Sequence, residues 1–260
     1  MLLGLVLLGL GLPAVASGSL PIYGIVDADA PPKTPLRELG YQLYAGNCST
    51  CHGPNGAGIL KAQPGVGSGG LLGEGPSLLN VGEQAPDFYL RTGRMPLGHV
   101  GEEPMRERVL FSDHQIRALV DYVGSLGHGP PIPRPQPGRG KLSEGLQLFT
   151  QHCAGCHQVA IAGGYLPGGV APDLTVATPT QIAEAVRIGP YLMPSFSKTA
   201  LTDAQLDSIV RYVVYAKSPD NRGGWSLGRA GPVPEGLVTW LLAGAALVAV
   251  CVLIGRRLRS

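Results

Sequence analysis

The sequence predicts an all-α chain: two small helical domains in tandem, followed by one C-terminal transmembrane helix. Three observations carry this. A block of sequence recurs at a fixed offset of 105 residues, so whatever one copy folds into, the other repeats. Each copy closes on apolar residues at helical spacing behind a helix-start signal, and no stretch sustains strand-like alternation. Residues 236–255 run twenty positions without a charge, about 30 Å as a helix, which is the thickness of a bilayer's hydrocarbon core.

Composition agrees. Charged residues make up 15% of the 260 and hydrophobic ones 44%, against roughly 25% charged in an average globular chain. That excludes a charge-driven disordered protein and favours membrane contact. A net charge of +2, with no basic run except Arg256, Arg257 and Arg259, speaks against a nucleic-acid partner.

Along the chain, Leu2 to Ala16 is apolar and Ala14-Val15-Ala16 has the form of a cleavage site, although no Lys or Arg precedes it. Residues 1–26 are therefore expected to be a hydrophobic signal or signal-anchor. The first domain is expected over 36–126. It opens on Gly40-Tyr41-Gln42-Leu43-Tyr44 and closes on a helix started by Ser112-Asp113-His114-Gln115, with Ile116, Leu119, Val120 and Val123 on one face. Residues 127–140 hold five prolines in fourteen, the composition of a semi-rigid polyproline spacer. The second domain, 141–217, repeats the plan from Gly145-Leu146-Gln147-Leu148-Phe149 to Thr202-Asp203-Ala204-Gln205 and Leu206, Ile209, Val210 and Val213. A tether, 218–235, leads to the membrane helix at 236–255. The arginine-rich tail 256–260 is expected on the cytoplasmic side, which places the two domains outside.

Two pentads carry the chemistry: Cys48-Ser49-Thr50-Cys51-His52 and Cys153-Ala154-Gly155-Cys156-His157. C-x-x-C-H is the attachment signature of c-type haem. Two thiols about one helical turn apart reach the two vinyl groups of one porphyrin, and the following imidazole points at the iron. A single zinc site built from all four thiols, or disulfides in an oxidising compartment, would use the cysteines but leave both histidines unexplained. Downstream, Arg91-Thr92-Gly93 leads to Met95-Pro96 as Arg187-Ile188-Gly189 leads to Met193-Pro194, and Pro76-Ser77-Leu78 is echoed by Pro172-Asp173-Leu174. Methionines at matching places read as thioether ligands, giving His52/Met95 and His157/Met193 as axial pairs. Such ligation raises the potential and closes both axial positions, so the irons move electrons rather than bind substrate, and a dihaem peroxidase is disfavoured. Met105 lacks a counterpart and reads as packing or surface; His99, His114, His128 and His152 also lack counterparts and are not expected as axial ligands. Cys251 reads as a small apolar residue of the membrane helix. The glycine-rich stretch 53–75 lacks the GK[ST] of a phosphate loop and reads as the loop along the porphyrin edge.

On both pentads, Thr92-Gly93-Arg94-Met95-Pro96, Met193-Pro194-Ser195-Phe196-Ser197 and the juxtamembrane Gly231-Pro232-Val233-Pro234-Glu235-Gly236 leading to Trp240, the chain resembles the dihaem cytochrome c (cytochrome cc) subunit of the actinobacterial-type cytochrome bcc complex, a menaquinol:cytochrome c reductase. The resemblance covers nearly all of the chain beyond residue 36. It implies two class I cytochrome c domains carrying two covalent haem c groups. It also implies electrons arriving from a Rieske iron–sulfur subunit and leaving for a terminal cytochrome c oxidase in a supercomplex, with a cytochrome b subunit holding the quinol sites. The chain is then a subunit of an oxidoreductase and has no catalytic residue of its own. Three other functions use the same motifs: a free-standing, membrane-tethered dihaem carrier, the electron-accepting subunit of an extracytoplasmic dehydrogenase, and, less expected without copper-ligand or additional membrane segments, a cytochrome c subunit of an oxidase.

Overall fold

A computed structural model describes residues 25–28, 30–59, 75–98, 102–220 and 232–258, of which 232–235 by backbone alone. Nearly all of the expected signal segment, most of the glycine-rich stretch, His99, most of the tether and Arg259 lie outside the described residues.

The first copy contains α1 (Leu36–Asn47), the single-turn α2 (Ser49–His52), α3 (Gln84–Arg91) and α4 (Asp113–Gly124). The second contains α5 (Leu142–His152), the single-turn α6 (Ala154–His157), α7 (Pro179–Ile188) and α8 (Asp203–Lys217). Both capping boxes expected from sequence form. The Ser112 hydroxyl accepts from Gln115 N–H at the start of α4, and Thr202 accepts from Gln205 N–H at the start of α8; each glutamine side chain accepts in return from the cap's own N–H. A third, Thr178 with Gln181, starts α7, with Pro179 in the first turn where its missing N–H costs nothing.

Buried apolar residues form two clusters. One joins Leu39, Leu43 and Tyr44 of α1 to Ile116, Leu119, Val120 and Val123 of α4. The other joins Phe149 of α5 to Leu206, Ile209, Val210 and Val213 of α8. Each such side chain, removed from water, stabilises by about 1.5–3 kcal/mol. The first and last helices of each copy cross closely because a glycine sits at the crossing. A Cβ on Gly40 would lie 2.0 Å from the Ala118 carbonyl oxygen, and one on Gly145 would lie 1.9 Å from that of Ser208.

Among the described residues one strand pair departs from all-α, besides an isolated bridge between Ile59 and Gly75. Gly164–Leu166 (β1) and Gly169–Ala171 (β2) pair antiparallel, Leu166 opposite Gly169, around a Pro167-Gly168 turn. Proline in the first central position and Gly168 at φ +86° in the second are what a type II turn requires. Strands of three residues are too short to show alternation, which is why the sequence reads as irregular here.

The proline-rich segment is fastened at both ends. The Pro130 carbonyl accepts from Glu83 N–H at 3.1 Å and Gln84 N–H at 3.3 Å. At the other end Gln136 N–H donates to Asp207 Oδ1 at 2.6 Å, and Arg211 Nη1 donates to the Gly140 carbonyl at 2.7 Å. The last helix, α9, spans Pro232–Arg257. Its Gly236–Arg257 portion has a mean hydropathy of 2.7 and nothing among the described residues covers it. It is long and apolar enough to cross a bilayer.

The two copies meet where α3 packs on α7, and that interface is polar. Gln84, Asp87, Gln181 and Glu184 are all buried there. Asp87 is paired with Arg91 at 2.7 Å, whereas both carboxyl oxygens of the wholly buried Glu184 lack a hydrogen-bond partner. Burial first, and then the neighbouring Asp87, pushes the Glu184 carboxyl up to about 9, with Arg91 pulling the other way. Folding therefore binds a proton at this site. Stability from it is complete below the ordinary carboxylate value of 4.5 and is lost as pH rises toward 9, with a slope of up to about 1.4 kcal/mol per pH unit. Glu184→Gln is expected to flatten the fall in thermal stability of the full chain between pH 5.5 and 8.5, and to raise the melting temperature most at the alkaline end. Melts with an unchanged pH slope would show that Glu184 is not the group responsible.

Candidate haem sites

Helix α1 stops at Cys48 and α5 at Cys153, each cysteine N–H returning to an aromatic residue's carbonyl (Tyr44 and Phe149) at 2.8 Å. The one-turn helices that follow bring the second cysteine and the histidine round to the same side. In both copies the imidazole is then fixed by a proline carbonyl: His52 Nδ1 lies 2.8 Å from Pro76 O, and His157 Nδ1 lies 3.1 Å from Pro172 O. A carbonyl only accepts, so Nδ1 carries the proton, and Nε2 is left with a lone pair that a metal could take. This is the physical content of the Pro76/Pro172 echo, which the sequence displays without explaining. Burial holds the His157 ring below its ordinary value, against the opposing pull of the Pro172 bond, so it stays neutral at pH 7.

The thiols point the same way. Burial, and then Cys51, pushes Cys48 up to about 12; burial, and then Cys156, pushes Cys153 up to about 11. Both first cysteines of the pentads thus lie in apolar surroundings. Among the described residues no disulfide joins any two cysteines, and no three His, Cys, Asp or Glu side chains gather as a metal site. The two Cys-x-x-Cys pairs are not brought together, and the single zinc site has no structural basis.

The R-x-G repeats aim the methionines. Gly93 and Gly189 both turn the chain at φ +66°, and a Cβ there would strike backbone at 2.3 Å (Glu107 O) and 2.4 Å (Ser195 N). The preceding arginines staple each turn to the N-terminus of the closing helix: Arg91 to Asp113 at 2.7 Å and Arg187 to Asp203 at 2.8 Å. In the second copy Cys153, Cys156, His157 and Met193 line one cleft, walled by Leu174, Ile182, Val186 and other apolar side chains. In the first copy Met95 and Cys48 pack against the same apolar cluster. An apolar slot with two thiols and an imidazole on one wall and a thioether on its lining suits a flat macrocycle and the iron within it. Met105 and His152 also line the second cleft, Met105 at its exposed edge and His152 edge-on to Phe196. His128 and His114 are elsewhere: His128 follows the linker turn, and His114 lies in the first turn of α4.

Sequence inspection missed a contribution from across the interface. Phe88, Arg94, Met105 and Arg106 of the first copy complete the wall of the second copy's cleft. Arg94 sits in the T-G-R-M-P run and was visible only as part of a motif.

Comparison with known proteins agrees with this geometry. Residues 38–127 match the family model for cytochrome c, and residues 140–213 match that for subunit III of cbb3-type cytochrome c oxidase. The cytochrome bc1 complex cytochrome c subunit of Mycobacterium tuberculosis is 35% identical over 95% of this chain and 86% of its own length. Its counterpart in Corynebacterium diphtheriae is 34% identical over 85% of this chain and 81% of its own length. The cbb3-type oxidase subunit CcoP of an Azospirillum species is 29% identical over 67% and 62%. Cytochrome c matches over both pentads mean that the chain carries two covalently bound haem c groups, at Cys48/Cys51 and Cys153/Cys156. With that degree of identity over almost its whole length, the chain belongs to the actinobacterial family of cytochrome c subunits of the cytochrome bc1 complex.

Proposed function

We propose that the chain is the dihaem electron-transfer subunit of a respiratory quinol:cytochrome c reductase. It takes electrons from a Rieske iron–sulfur subunit and passes them through two haems toward a terminal oxidase, beside a cytochrome b subunit that oxidises quinol. The two haem modules are tandem class I cytochrome c domains, 36–126 and 141–217, held outside the cytoplasm. Helix α9 sits in membrane lipid, with the arginine tail inside. One observation carries the reading: the same imidazole-to-proline bond, set behind a C-x-x-C pair, occurs in both copies.

Haem iron supplies a one-electron couple. The protein's residues do the rest. Cys48 and Cys51, and Cys153 and Cys156, hold each group by thioethers. His52 and His157, oriented by Pro76 and Pro172, would bind the iron of each group, and Met95 and Met193 would supply it a thioether. With protein ligands of both kinds, the iron would serve electron transfer rather than substrate binding. The apolar walls keep out water, which would otherwise reorganise with every change of charge.

The test is a pyridine haemochrome spectrum with haem staining of the complex purified through this chain. Two c-type haems per chain, together with b-type haem and an iron–sulfur protein, are expected. Two c-type haems without b-type haem would replace this reading with a free-standing membrane-tethered carrier or a dehydrogenase's acceptor subunit.

A further inference from the structure

Two arginines of the first copy enter the second copy's cleft without a counter-charge. Arg94 is 8% exposed, and its Nη1 is buried with no hydrogen-bond partner. Its guanidinium stacks over Phe88, 5.1 Å from the ring centre, which fixes its direction. Arg106 lines the same cleft, and its Nη2 donates to the neutral Gln181 side chain at 2.9 Å. Neither is in an ion pair among the described residues. Two desolvated, mutually repelling guanidinium groups are costly unless an anion joins them. The cleft they share also holds Cys153, Cys156, His157 and Met193.

We propose that Arg94 and Arg106 are a carboxylate clamp acting across the interface: the haem bound at Cys153 and Cys156 lies with its propionate edge toward the first copy, and these two guanidinium groups bind it there. This rests on the haem assignment above. A haem c brings two carboxylates, which match the two cations in number and sign, and a planar guanidinium suits a carboxylate in two-point contact. The placement has a consequence for the electron's path. Arg94 adjoins Met95, the ligand assigned to the other iron, so the clamp sets the propionate edge of one haem beside the distal ligand loop of its neighbour. Arg94 is thus a positioning residue for transfer between the two haems.

The test uses the full chain in its membrane complex. Covalent haem is counted by staining, and both c-type haems are titrated potentiometrically from pH 6 to pH 8.5. The titration wave of each haem is identified by which one Met95→Ala or Met193→Ala displaces. With two haems still attached, Arg94→Gln and Arg106→Gln are expected to lower the wave that Met193→Ala moves, because a positive charge favours the reduced haem. They should also make that wave pH-dependent as a released propionate titrates, and Arg94→Lys should restore part of the shift. A full haem count with that wave unmoved in both variants, or a shift confined to the wave that Met95→Ala moves, would overturn the clamp. A haem count of zero in the unsubstituted chain would instead overturn the haem reading itself.

Discussion

Replacing Met193 or Met95 with alanine lowers the potential of one haem, and only one, while leaving both porphyrins attached. A thioether is a neutral, soft ligand that stabilises reduced iron, and a His/Met pair therefore holds a haem at higher potential than His with water or with a second nitrogen donor. Axial ligands set haem potentials over about 0.8 V, so a fall on the order of 0.1–0.3 V is expected for the substituted site. Attachment depends on the thiols of the neighbouring pentad and not on the methionine, so haem staining stays at two per chain. The paired design makes the experiment decisive. The two methionines follow matching turns at Gly93 and Gly189, and each variant serves as the other's control. Titration curves unchanged at both haems would remove that methionine from the ligand set. A fall at both haems would mean that the two sites are not separately ligated.

The parts of this molecule legible in the sequence are those governed by neighbours along the chain. The pentads, the R-x-G turns, the capping boxes at Ser112 and Thr202, and the uncharged run in α9 each lie within a few turns of helix. The repeat then doubled the pentad, turn and capping-box signals, though not the run in α9. The third capping box, at Thr178, was equally local, and Thr-Pro-Thr-Gln was there to be read. What escaped depends on packing between the copies. Glu184 lies in Gln-Ile-Ala-Glu-Ala-Val-Arg-Ile, where a glutamate between apolar residues reads as the solvent face of a helix; α3 covers that face, and the residue is wholly buried. Arg94 was visible only as a member of the T-G-R-M-P run and Arg106 carried no signal, and only the fold places them against residues far along the chain. The Pro167-Gly168 hairpin failed for a different reason, since its turn signal was clear while its strands were too short to register. The haem ligands are thus local features, and the surroundings that tune them are not.

Adding a single methyl group to Gly145 or Gly40 unfolds or displaces the module in which it lies. A Cβ at these positions would sit 1.9 and 2.0 Å from the carbonyl oxygens of Ser208 and Ala118, with the carbonyl carbons at 2.6 and 2.7 Å. Those are backbone atoms of the closing helix, held by its own hydrogen bonds, and unlike the end of a side chain they cannot swing away. The only relief is for the two helices to part, and they are the ones whose contact makes each core: Phe149 with Ile209 and Val210 in one, Leu43 and Tyr44 with Leu119 in the other. Overpacking a tight core costs about 1–3 kcal/mol, and more where backbone must move. Parting the helices adds the loss of the apolar contacts around the crossing. Against a total stability of about 5–15 kcal/mol for a domain, Gly145→Ala is expected to lower the melting temperature sharply. The same helix ends on Cys153, so the displacement reaches the haem attachment, and the covalent haem count at that site should fall with it. Gly138, whose Cβ would meet nothing within 4 Å, supplies the comparison: Gly138→Ala should leave melting and haem content unchanged. Equal behaviour of the Gly145 and Gly138 variants would mean that the helices do not cross this closely, and with that the shared architecture of the two copies would fail at its centre.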